Sequence, residues 1–145
     1  MKDIVYNIGY FAPLFIFIFV LLKLTKHRHV FFLSQCFSFF VNTVIKNTIR
    51  QPRPSKSLNV NRFDAYDVDH FGMPSSHAQL VVGMLTFAMF QFNNDLITAF
   101  LGVQALITMW QRYVCRKHTA SQLAVGALIG TFIGYYTNQI MDKLP

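Results

Sequence analysis

Residues 73–92 read MPSSHAQLVVGMLTFAMFQF, a short polar entry followed at once by an apolar run. A serine hydroxyl in front of such a run caps a helix, because it accepts one of the N–H groups that the first turn leaves unpaired. Pro74 suits a helix start, where its missing N–H costs nothing. The pattern predicts an apolar helix from Ser75 to Phe92 that carries His77 in its first turn.

Four more apolar stretches flank this one: Ile4–Leu24, Val30–Ile45, Leu96–Trp110 and Ser121–Tyr136. A spanning helix needs roughly 20 predominantly apolar residues, and flanking Lys, Arg, Tyr and Trp extend a shorter one. Composition agrees: 53% of residues are hydrophobic and 13% charged, against roughly 25% charged in soluble domains. With 16 Phe in 145 residues, a soluble fold could not hide its apolar surface. The sequence therefore predicts a single all-α domain over residues 1–145, an integral membrane bundle of about five transmembrane helices. The first stretch lacks a small-residue cleavage site and reads as a retained helix, not as a signal peptide.

The polar residues between these stretches carry the rest of the information. The net charge is +7, and all six acids are Asp. No nucleic-acid recognition motif accompanies that charge, so the basic residues point to an anionic, phosphate-bearing ligand at a membrane surface. Cys36 and Cys115 stand at different depths and make poor disulfide partners, and no Cys/His spacing suits a metal. The long polar segment from Lys46 to Met73 holds Arg50, Arg53, Lys56, Arg62, Asp64, Asp67, Asp69 and His70. A connection of that length in a small protein usually carries function.

Helix parity gives these residues a common side. With five spans, the end of the second, the start of the third, the end of the fourth and the start of the fifth share one membrane face. Two polar stripes at four-residue spacing rise toward it: Ser34, Ser38, Asn42 and Lys46, and Gln104, Thr108 and Arg112. Their mid-membrane members suit interhelical hydrogen bonds. Gly126, Gly130 and Gly134 form a small-residue stripe for close helix packing, with Gln122 in the same line.

Three short patterns lie on that face in order: Lys46 with Arg53-Pro54, then Pro74-Ser75-Ser76-His77, then Arg112 with His118-Thr119 and Gln122. Each alone is weak; together they describe a phosphoryl-transfer site. Charge on a transferring phosphoryl group must be neutralised, and Lys46, Arg53 and Arg112 supply fixed cations. Ser75 and Ser76 at a helix start add N–H donors and the helix dipole. Two histidines suffice for the two chemical roles, a nucleophile for phosphorus and a general acid that later serves as base. This set needs no metal and no cofactor.

As a set, these motifs resemble those of the type 2 phosphatidic acid phosphatase superfamily, which includes vanadium haloperoxidases; the match spans residues 46–122. The resemblance implies that His118 is the nucleophile and His77 the general acid/base, and that Lys46, Arg53, Ser75, Ser76 and Arg112 hold the phosphate. One departure stands out: Gln122 occupies the place of the Asp that usually orients the nucleophilic ring. Gln51-Pro52-Arg53-Pro54, Met73 to Gln79, and His118-Thr119 with Gln122 look more like the dolichyl-diphosphatase branch. There the Gln is a branch trait and orients His118. That branch implies a polyisoprenyl diphosphate, cleaved to the monophosphate and inorganic phosphate, with the site facing the lumen of the endoplasmic reticulum. Positive-inside counting of all Lys and Arg would put the catalytic face in the cytosol; without its phosphate ligands that face keeps Lys2, Arg50, Lys56, Arg62, Arg116 and Lys117 against Lys23, Lys26, Arg28 and Lys143 opposite, and the lumenal expectation follows the branch. Two alternatives remain: a phosphatase for another lipid phosphate such as phosphatidic acid, and a silent membrane protein that keeps the fold. Arg116 and Lys117 are further candidates for a second phosphate.

Overall fold

Five helices make up the computed structural model, which describes residues 2–59 and 71–145: α1 (Lys2–Lys23), α2 (Arg28–Ile49), α3 (Ser76–Phe92), α4 (Asp95–Val114) and α5 (Ala120–Met141). Among the described residues there is no strand, only an isolated bridge between Pro52 and Phe71. The all-helical expectation therefore holds. Most helices outrun the apolar stretches that announce them: α2 continues past Ile45 through Lys46 to Ile49, and α4 past Trp110 through Arg112 to Val114. Apolar composition marks what is kept from water, whereas backbone hydrogen bonding continues until a cap stops it. Arg50 stops α2 in a left-handed conformation, its N–H returning to the carbonyl of Lys46.

By length and composition, α1 is the one described helix that could cross a membrane unaided, with a mean hydropathy of 2.2 over Ile4–Lys23. The others are diluted by the polar stripes already named, and α3 has 17 residues.

α3 is the central helix, in contact with all four others. Its partner α5 lies against it backbone to backbone. A Cβ at Gly130 would collide with the carbonyl of Gln79, one at Gly134 with that of Gly83, and one at Gly126 would fall 2.5 Å from the carbonyl oxygen of Ser75. Glycine is thus required by the approach itself. α1 packs on α4 and α3 through a stripe of Ala12, Ile16 and Val20, all fully buried. Phe31, Met84, Phe87 and Leu101 complete the core between the helices.

The α2 stripe makes the interhelical hydrogen bonds that its spacing suggested. Gln79 of α3 donates to the Ser38 carbonyl at 2.7 Å and hydroxyl at 2.9 Å, and accepts from the Asn42 amide at 2.8 Å. Ser34 turns back onto its own helix, donating to the carbonyl of Phe31. Neither cysteine is in a disulfide; Cys36 is exposed and Cys115 buried at the end of α4.

Candidate active site

Four helix ends meet at one end of the bundle. The end of α2 brings Lys46, the start of α3 brings Ser75, Ser76 and His77, the end of α4 brings Arg112, and the turn into α5 brings His118. Lys46, Arg112 and His118 are all buried, and Arg112 is the largest fully buried side chain among the described residues. Arg53 reaches the same place from the segment after α2, since Arg53, Arg112 and Lys46 all act electrostatically on the ring of His118. His77 lies within such reach of Arg112, His118 and Arg53. Arg53 and Arg112 thus act on both imidazoles, and Lys46 on that of His118.

His118 is set for one role by its hydrogen bond. Its Nδ1 donates to the carbonyl of Gly72 at 2.9 Å, which leaves the lone pair of Nε2 pointing away from the backbone. Burial, and after it the charges of Arg53, Arg112 and Lys46, push this imidazole down from 6.5 to about 3, although the Gly72 carbonyl pulls the other way. The ring is neutral through the physiological range.

His77 is bound differently. Nη2 of Arg112 lies 2.6 Å from its Nε2 and 3.0 Å from its Nδ1. A guanidinium only donates, so the imidazole presents a lone pair to it. A ring nitrogen also bonds the backbone carbonyl of Tyr10.

The serines divide. Ser75 is the N-cap of α3: its hydroxyl accepts from the N–H of Ala78 at 3.4 Å, and its own N–H donates to the Gln122 carbonyl at 3.0 Å. It keeps only its hydroxyl proton to offer an anion. Ser76 and His77 begin the helix, where backbone N–H groups have no acceptor within the helix. Pro74 stands one residue ahead of the cap, not at the first helical position.

The expected role of Gln122 requires correction. Its side chain does not orient the ring of His118; the Gly72 carbonyl does. Oε1 of Gln122 accepts from the N–H of Thr119 at 3.1 Å, and the Thr119 hydroxyl accepts from the N–H of Gln122 at 3.3 Å, a reciprocal capping box at the start of α5. Nε2 donates to Oε1 of Gln51 at 3.1 Å and to the carbonyl of Pro52 at 3.0 Å. The Gln51 carbonyl in turn accepts from the N–H of Gly72 at 2.7 Å. Gln122 thus acts at one remove, by holding the segment whose next member presents the carbonyl to His118. It also packs against Gly72 so closely that a Cβ there would fall 2.5 Å from its Oε1. The pattern Thr119-x-x-Gln122 was a readable signal for the box; nothing in the sequence pointed to Gly72, whose contribution is a backbone atom.

Lys117 is buried and donates to Oδ1 of Asn59 at 2.7 Å, while the N–H of Leu58 donates to the Cys115 carbonyl at 2.9 Å. These bonds tie the segment after Arg53 onto the α4–α5 turn, so Lys117 serves that tie. Arg116 and Arg50 are exposed. Arg62, Asp64, Asp67, Asp69 and His70 lie outside the described residues.

Two openings lead to the site. A groove of about 600 Å³ between α1, α2 and α3 is walled by side chains such as Leu14, Phe17, Phe32 and Phe39 and ends on Ser76 and His77. A second cavity of about 570 Å³, bordered by Ser55, Tyr113, Arg116 and Thr119, reaches His118.

No curated protein and no solved structure matches the chain. A family model, that of the PAP2 superfamily, matches residues 28–145, from the start of α2 through the whole site. Lys46, Arg53, His77, Arg112 and His118 converge within that span, and the chain belongs to the PAP2 superfamily, a family of phosphatases, which suggests action on lipid phosphates.

Proposed function

We propose that the chain is a metal-independent phosphatase embedded in a membrane, which hydrolyses a polyisoprenyl diphosphate of the dolichyl type to the monophosphate and inorganic phosphate. One observation carries the reading: the apolar groove ends on His77, not on His118. In-line displacement at phosphorus puts the nucleophile and the leaving group on opposite sides. With His118 as nucleophile, the lipid-bearing leaving group lies on the His77 side, where the apolar walls are. The cavity beside His118, with Ser55, Arg116 and Thr119 among its lining residues, gives the other side to water and free phosphate.

The steps follow from the hydrogen bonds. Nε2 of His118 attacks the terminal phosphorus, forming an N–P bond as the bond to the bridging oxygen breaks. Lys46, Arg53 and Arg112 meet the charge on the equatorial oxygens, and the N–H groups of Ser76 and His77 add donors. The phosphate draws the guanidinium of Arg112 to itself. The ring nitrogen of His77 that it leaves takes up a proton from solvent water and passes it to the departing oxygen. His77 then takes a proton from water, whose oxygen attacks phosphorus; the P–N bond breaks and inorganic phosphate leaves.

A membrane setting is supported by the outer surface. Phe15 and Leu14 of α1, Phe39 and Phe40 of α2, Leu106 of α4 and Phe132 of α5 are all more than half exposed. Soluble monomers rarely carry so large an apolar surface. The endoplasmic reticulum and a lumenal site come with the resemblance of the motifs to the dolichyl-diphosphatase branch.

The test is phosphate release from a polyprenyl diphosphate in detergent, with phosphatidic acid as competitor. Activity should survive a chelator and fall by about 10³-fold or more in His118→Ala, which removes the nucleophile. Loss on chelation, or an active His118→Ala, would refute the mechanism. A preference for phosphatidic acid would refute the substrate alone.

A further inference from the structure

α1 lies outside residues 28–145, the span of the family match, yet it enters the site. Tyr10 makes three contacts there. Its ring centroid lies 5.5 Å from that of His77, with the planes inclined at 43°. The guanidinium carbon of Arg112 stands 5.0 Å from the Tyr10 centroid, in the range of a cation–π contact. Its backbone carbonyl bonds a ring nitrogen of His77.

The local sequence supports this arrangement. Pro13 lies within α1 three residues beyond Tyr10. A proline inside a helix removes the hydrogen bond to the carbonyl four residues back, here that of Gly9, one turn from Pro13 and next to Tyr10. Gly9, next to Tyr10, lets α1 approach α4: a Cβ there would fall 2.8 Å from Cβ of Gln111, the neighbour of Arg112. Gly9 lets the helix approach α4, and Tyr10, its neighbour in the chain, lies at the site.

We infer that Tyr10 is a positioning residue, which holds the imidazole of His77 and the guanidinium of Arg112 in register for proton transfer. The inference rests on the phosphohistidine reading above. Arg112 must give up its contact with His77 when phosphate arrives, and His77 then depends on its other neighbours for orientation. The Tyr10 carbonyl fixes one ring nitrogen, and the Tyr10 ring fixes the plane. The aromatic face also offers Arg112 a second resting place for its charge.

The two half-reactions make the role measurable. In the first, a lipid monophosphate is a good leaving group and needs little acid. In the second, water needs His77 as base. A misplaced His77 therefore slows the second half more than the first, and phosphoenzyme accumulates. A simple loss of structure lowers both and accumulates nothing.

The experiment is acid-quench trapping of phosphoenzyme during turnover of a polyprenyl diphosphate labelled at its terminal phosphate. It compares the full-length wild type with Tyr10→Leu, Tyr10→Met, Tyr10→Phe and His77→Ala. Two apolar replacements guard against a variant that fails to fold in an apolar wall. Both should lower kcat by about tenfold, a fraction of what general acid–base catalysis contributes, and raise the steady-state phosphoenzyme severalfold. His77→Ala should shift the same balance further, and Tyr10→Phe should stay near wild type. An unchanged kcat in Leu and Met variants, or a fall without phosphoenzyme build-up, overturns the role of Tyr10 and leaves the phosphatase reading standing. A wild type that neither releases phosphate nor takes up label overturns both.

Discussion

At the scale of single residues, the site is a set of acceptors and donors that leave little choice. Gln122 shows this best. Its amide donates to the carbonyl of Pro52, which can only accept, and its Oε1 takes the N–H of Thr119. An Asp at this position would be one methylene shorter and would set a carboxylate against that carbonyl. Gln122→Asp, which restores the residue usual in the superfamily, should therefore damage the enzyme. We expect a stability loss of about 1–3 kcal/mol, the cost of leaving a buried polar group unpaired. A fall in kcat of about tenfold or more should accompany it, as the Gly72 carbonyl shifts off His118. Denaturation in detergent and phosphate release check both, and a gain in activity would show that the capping arrangement is not what holds the ring. A second residue-scale expectation concerns His118 itself. Its folded value near 3 lies below the unfolded 6.5, so the neutral ring adds stability above about pH 6.5 that is lost as pH falls toward 3. An NMR titration of the labelled ring should show no protonation between about pH 8 and 5; a midpoint near 6.5 would mean that burial and the three cations do not act on it.

At the scale of elements, the seam between α3 and α5 sets the site. Both histidines sit at the amino ends of these two helices, and the seam decides how those ends face each other. Gly130→Ala would drive a methyl into the carbonyl of Gln79 and to 2.9 Å from the N–H nitrogen of Gly83. The helices must part, at a cost of about 1–3 kcal/mol. The loss should appear as a lower midpoint in thermal unfolding and, because the rings part as well, as a lower kcat. Gly102→Ala is the matched control: nothing lies within 4 Å of a Cβ there, so the midpoint should stay or rise. Equal effects of the two substitutions would show that helix propensity, not the seam, is being measured. The capping box belongs at this scale too. It starts α5 at Ala120, two residues after His118, so the helix boundary beside that side chain is fixed by the box.

At the scale of the whole molecule, the sequence exposes what depends on pattern and hides what depends on approach. Five apolar runs announce five helices because burial repeats along the chain. Parity then places Lys46, His77, Arg112 and His118 at one end, and the fold brings them together there. The runs stop short of the true helix ends because Lys46 and Arg112, polar but helical, lie beyond them. Gly72 stays invisible since its part is played by a carbonyl that any residue carries. Tyr10 stays invisible since nothing along the chain links it to His77 or Arg112; only the folding of α1 against α3 and α4 makes the neighbours. Gln122 is legible as a member of the site but not in its manner of acting, because an amide can make four hydrogen bonds and only the folded chain shows which are made and to what.

The groove has one more consequence. Its outer walls, Leu14 and Phe17 on one side and Phe32 and Phe39 on the other, belong to α1 and α2, whereas the reacting rings ride on α3 and the α4–α5 turn. On the function proposed, choice of lipid and cleavage of phosphate are thus written on different helices. Over generations, the first pair can drift toward fatter, longer or more branched tails while the interval between the two imidazoles, held by glycine against bare backbone, stays as it is.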